Sequence, residues 1–208
     1  MGIVIGEDAR RENSAAFLQL RGNVNGKDLH FALIDYAEQT LVGVGLQTAI
    51  GDTGFWLEAA SVSGDDNYLR FSTGVDYAFN EDIFGQLEYH YNGAGRTDPA
   101  DYLASLSSLP YQKGGVFLLG RDYLMPAVTV QLSPLWSLAT QAVINLSDQS
   151  RFTSLSLEFN VASNVYMDFG LYHFSGDDLS VSRNAVPVLG SEYGTNPDTL
   201  YMSVRFYF

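Results

Sequence analysis

Cysteine is absent from this 208-residue chain, which excludes a disulfide framework, a thiolate metal site and a cysteine nucleophile. Lysine is almost absent, with only Lys27 and Lys113, and 24 acidic against 11 basic side chains leave a formal charge of −13. A nucleic-acid binder needs a basic face, so no nucleic-acid partner is expected. The first six residues run directly into the charged stretch 7–12, with neither a basic nor an apolar leader region. The longest uncharged run, 123–147, has the length of a membrane helix but contains Pro126, Pro134, Gln131, Gln141 and Asn145, which argue against one.

What the chain does contain is aromatic: 13 Tyr and 13 Phe accompany only 17% charged residues. Read with a period of two, segment 68–79 sets Leu69, Phe71, Thr73, Val75, Tyr77 and Phe79 against Tyr68, Arg70, Ser72, Gly74, Asp76 and Ala78. After the turn Asn80-Glu81-Asp82, segment 83–91 repeats the alternation and predicts a hairpin. Comparable strands are expected over 16–23, 29–36, 41–50, 55–62, 123–132, 136–146, 152–161, 165–174 and 200–208, with a stub at 1–6. Tight connections alternate with longer or more acidic ones, the longest being 92–120 and 175–198. All tight turns therefore fall at one end of the sheet and all long loops at the other. The reading is a single domain over 1–208, all-β: an antiparallel up-and-down transmembrane β-barrel of about 12 strands.

Aromatics near strand ends predict two girdles, with Trp56, Tyr77, Phe79, Trp136, Phe206 and Phe208 at the tight-turn end and Tyr36, Tyr68, Tyr89, Tyr91, Tyr123 and Tyr172 at the other. A soluble β-sandwich would also alternate, but its solvent faces would be rich in Lys and Glu rather than Gln, Ser, Thr, Asn and Gly.

The final strand alternates Leu200, Met202, Val204, Phe206 and Phe208 with Tyr201, Ser203, Arg205 and Tyr207. Ending on Phe, it resembles the assembly signal of bacterial outer-membrane barrels, in which Tyr201, Phe206 and Phe208 would engage the barrel-assembly machinery. The stretch Gly74-Val75-Asp76-Tyr77-Ala78-Phe79, leading to Leu87-Glu88-Tyr89-His90-Tyr91-Asn92-Gly93, is similar to porin-like outer-membrane proteins. So is Gly120-Arg121-Asp122-Tyr123, leading to Ser133-Pro134-Leu135-Trp136 and Asn145-Leu146-Ser147-Asp148. The resemblance implies a bacterial outer-membrane location, contact with lipid and lipopolysaccharide, and passive passage of small hydrophilic solutes or ions. Members of that family are longer at the N-terminus, so the strand set is expected to be incomplete there.

Arg21, Glu58, Arg70, Asp76, Glu88, His90, Glu158, Asp168 and Arg205 occupy polar phases and are the candidate pore-lining residues. No catalytic residue, metal ligand or cofactor is expected: His90 shares a phase with Glu88, but no motif fixes a serine beside them. The carboxylates Asp65, Asp66, Asp98, Asp101, Asp177, Asp178 and Glu192 read as a solvated acidic rim, or else as a site of divalent bridging to anionic lipid. Asp98 is expected to N-cap a short helix opening on Pro99, within a loop that packs over or into the barrel mouth. A non-conducting structural or adhesion barrel is the alternative, and a lipid hydrolase a more distant one.

Overall fold

The computed structural model describes every residue except 7, 9, 37, 65, 114, 182–186 and 208. One antiparallel sheet of 12 strands dominates, its members taken in chain order except for a small hairpin. The strands are β1 (Gly2–Val4), β2 (Ala15–Val24), β3 (Lys27–Tyr36), β4 (Gln39–Ile50), β5 (Thr53–Ser63) and β6 (Tyr68–Ala78). They continue as β7 (Ile83–Asn92), β8 (Asp122–Ser133), β9 (Trp136–Asn145), β10 (Arg151–Ala162), β11 (Val165–Ser175) and β14 (Thr199–Phe206). The hairpin, β12 (Ser180–Val181) with β13 (Pro187–Val188), lies inside the last long loop and was not legible in the sequence. No helix among the described residues is long and apolar enough to cross a membrane. Among these residues no ladder joins β14 to β1 or β2.

Each strand exists because its residues alternate, and where the connection is tight the turn pins the register. Between β6 and β7, Asn80 Oδ1 accepts from the amides of Asp82 at 2.9 Å and Ile83 at 2.8 Å, an Asx turn that closes the tightly linked pair. Asn25 and Gly26 take positive φ between β2 and β3, the geometry that a two-residue hairpin loop demands. The predicted strand over 68–79 ends one residue early, because the Phe79 amide bonds Ile83 O and belongs to the turn.

One face of the sheet is apolar and open: Leu20 is 56% exposed, Val44 58% and Leu200 81%. A soluble monomer rarely leaves a continuous apolar surface beyond a few hundred Å². Here the exposed aliphatics recur on most of the long strands, β2 to β8, β10 and β14, as a lipid-facing exterior requires. The conventional core is correspondingly small, Val62, Tyr68 and Val116 with Leu41, Ala94 and Tyr111, and it lies on the other face under a folded loop.

Aromatics split between the faces, which corrects the girdle reading. Tyr77, Phe79, Tyr89, Tyr91, Trp136 and Phe206 share the apolar phase, where Trp136 stacks on Phe159 at 4.3 Å and Phe71 on Tyr91 at 5.5 Å. Tyr36, Trp56, Tyr68, Tyr123 and Tyr172 take the polar phase instead. Position along a strand places a residue at a given height, whereas parity alone decides its face. Phe208 lies outside the described residues.

Candidate functional site: the polar inner face

The strand registers bring the nine candidate charges to one face. Arg21 pairs with His30, and Glu58 stands between Gly45 on β4 and Ser72 on β6. Arg70 neighbours Asn92, Asp76 neighbours Gln86, and Gly74 neighbours Glu88. Glu158 faces Asp168, and Arg205 follows on β14. Along with Asp28, this face carries six carboxylates against three guanidiniums among the described residues.

Their pairing is uneven. Arg205 is clamped: its Nη2 donates to Glu158 and, at 2.9 Å, to Asp168, while its Nε reaches Asp168 at 3.0 Å. Arg70 Nη1 donates to Gly115 O at 2.7 Å, tying β6 to the long loop. Arg21, Glu58, Asp76 and Glu88 form no ion pair among the described residues, so their charge acts on the space in front of the face.

His90 has a partner that the sequence did not predict. Ser72 Oγ lies 2.8 Å from His90 Nδ1, because Ser72 and His90 are direct cross-strand neighbours on β6 and β7. Among the described residues no carboxylate bonds the other ring nitrogen, so the pair lacks the orienting acid that makes a serine nucleophilic. Its geometry is that of a satisfied polar pair. No group of three or more metal-ligating side chains converges among the described residues.

Above this face three loops meet. The β7–β8 loop begins with Asp98 accepting from the Ala100 amide at 3.0 Å and Pro99 opening a 3-10 turn, Pro99–Asp101, as the sequence predicts. It continues through α1 (Tyr102–Ser105) and α2 (Leu109–Gln112), then returns along the inner face, where Asn92 Nδ2 donates to Leu118 O at 2.7 Å. Glu192, from the loop between β11 and β14, reaches into the junction. Its Oε1 accepts from the Leu119 amide at 2.8 Å, and its Oε2 from Tyr123 Oη at 2.5 Å and Asn145 Nδ2 at 2.8 Å. Asp148, from the β9–β10 loop, accepts from the Glu192 amide at 2.8 Å and from Tyr102 Oη at 3.1 Å. Tyr102, Tyr123 and Asn145 are fully buried there.

Glu192 therefore departs from the solvated rim: it is 9% exposed and its carboxyl is pushed above the usual range, chiefly by burial. Burial likewise raises the phenols of Tyr102 and Tyr193. Asp65 falls outside the described residues, so the acidic-rim reading is not tested there. The sequence signal for the junction was slight. Asn145 and Asp148 belong to the stretch Asn145-Leu146-Ser147-Asp148 that resembles porin-like proteins, but Glu192 has no neighbour in sequence to mark it as interior.

No protein-family model matches the chain, and no curated protein matches it significantly. Among solved structures it is similar to the outer-membrane expressed OmpT of Vibrio cholerae, with a TM-score of 0.55 at 10% identity, over 93% of this chain and 65% of that one. This chain thus spans just under two thirds of that protein's length. It is also similar to the KdgM porin in complex with disordered oligogalacturonate, with a TM-score of 0.41 at 11% identity, over 94% and 91% of the respective chains. Sequential antiparallel pairing, an apolar outer phase and a polar inner phase agree with the likeness to the Vibrio cholerae protein: the chain has the fold of an outer-membrane β-barrel.

Proposed function

We propose that the protein is a porin-like channel of the bacterial outer membrane that passes small hydrophilic solutes and prefers cations. The observation that carries this reading is the set of unpaired charges on the inner face. A plugged barrel neutralises its interior with ion pairs, whereas Glu58, Asp76, Glu88 and Arg21 have none among the described residues and line open clefts. With carboxylates in excess, the potential in front of this face attracts cations. The docked loops narrow the mouth, and the apolar outer face meets lipid and, in the outer leaflet, lipopolysaccharide. Tyr201 and Phe206 in the closing strand are the contacts for the assembly machinery. No reaction is assigned to the Ser72–His90 pair.

Reconstitution into planar bilayers tests this. Discrete conductance steps with a reversal potential of cation-selective sign under a salt gradient are expected. A correctly folded barrel that gives no steps refutes the channel and leaves the structural or adhesion reading.

A further inference from the structure

We propose that the inner wall around Trp56 is a stacking site for an uncharged pyranose unit of a saccharide, a reading that builds on the channel by naming what its wall holds. Trp56 is out of keeping with its phase. The inner positions of β5 otherwise hold Gly54, Glu58, Ala60 and Val62, and alternation does not call for a large flat ring among them. Its neighbour on β6 is Gly74, and a Cβ there would overlap the benzo half of the indole. The ring therefore lies flat on the Gly74 backbone, which is buried beneath it, while Trp56 itself stays partly exposed.

The ring borders a cleft of about 350 Å³, at the small end of the roughly 300–1,000 Å³ range of ligand pockets. Gln47 stands on its β4 side and Gln86 with Glu88 on its β7 side, with Glu58 and Asp76 on the strands between them. A second cleft of about 200 Å³ opens on the β4 side of the same ring. A pyranose offers a C–H face to an aromatic ring and a rim of hydroxyls, each able to donate and accept. Carboxylates accept those hydroxyl protons, and the glutamine amides both donate and accept, so the wall complements the rim. Uronic acids would meet three carboxylates with no guanidinium in the cleft. An organic ammonium would satisfy the carboxylates and the indole face but leave both glutamine amides without a role.

Two readouts test the site in the reconstituted protein: interruption of single-channel current and the fluorescence of Trp56 in the Trp136→Phe variant, where it is the remaining indole. The probes are maltotriose, spermidine and trigalacturonate. Maltotriose should interrupt the current and shift the Trp56 emission, Gln47→Ala with Gln86→Ala should weaken both effects about tenfold, and Trp56→Leu should abolish the interruption of current. The glutamine pair keeps the test valid if Trp56→Leu misfolds. A response to spermidine alone, to trigalacturonate alone, or to none in a folded barrel overturns the saccharide site. Conductance without any saccharide effect would sink the site and spare the channel, whereas a fluorescence response without conductance would do the reverse.

Discussion

Glu192→Gln isolates the junction that holds the loops over the inner face. The carboxylate accepts three hydrogen bonds, at 2.8 Å from Leu119 N, 2.5 Å from Tyr123 Oη and 2.8 Å from Asn145 Nδ2. Glutamine has the same shape but presents an amino group on one side. With its oxygen toward Tyr123 and Asn145, the new N–H faces the Leu119 amide, and two buried donors, that amide and the new amino group, lack an acceptor. With the oxygen turned to Leu119, the new N–H faces Tyr123, whose oxygen already accepts from the Gly120 amide at 2.5 Å. Each orphaned donor costs about 1–3 kcal/mol, and relief from burying a charge returns part of this. A net loss of about 2 kcal/mol corresponds to a roughly 30-fold larger undocked population.

Hydrogen exchange at the Leu119 and Gly120 amides reads that population directly. Burial raises the Glu192 carboxyl, so the docked loop binds its proton more tightly than the undocked one. Docking is therefore strongest at acid pH and weakens as pH rises from the ordinary carboxylate range through the raised value, becoming flat above it. After correction for intrinsic exchange, the wild type should show this slope and the variant should lack it. Protection at Leu119 that changes less than twofold on substitution would refute the account of the junction.

Other perturbations separate the two faces of the wall. Val44→Arg places a charge on the outer phase in mid-strand and should cost about 2–4 kcal/mol in folding into bilayers, measured by denaturant titration in liposomes, while Gln86→Arg on the inner phase should cost little. Neutralising the inner wall with Glu58→Gln, Asp76→Asn and Glu88→Gln together should move the reversal potential toward zero; an unchanged potential would remove these carboxylates from the conduction path. At Gly170 a Cβ would overlap the Tyr201 ring on β14, so Gly170→Val should lower stability by about 1–3 kcal/mol, and adding Tyr201→Ser should recover most of it.

The sheet was legible in the sequence because a strand exposed to two different solvents must alternate at every step, and the segment from Tyr68 to Tyr91 does so with few exceptions. The same parity placed all nine candidate charges on one face. Three things escaped because they depend on contacts between strands or loops. Ser72 meets His90 only through the β6–β7 register. Trp56 lies inward because parity outweighs its nearness to a strand end. Glu192 appeared as one more surface acid, since the donors that draw it inside come from distant parts of the chain.

Those distances carry a consequence for assembly. Glu192 is separated from Leu119, Tyr123 and Asn145 by 73, 69 and 47 residues. Each contact closes a long stretch of chain, an entropic cost recovered only once β8 and β9 already stand side by side. Glu192 also sits just before β14, so its docking and the addition of the last strand constrain the same segment. Docking of Glu192 is therefore expected late in folding, together with the seating of the final strand.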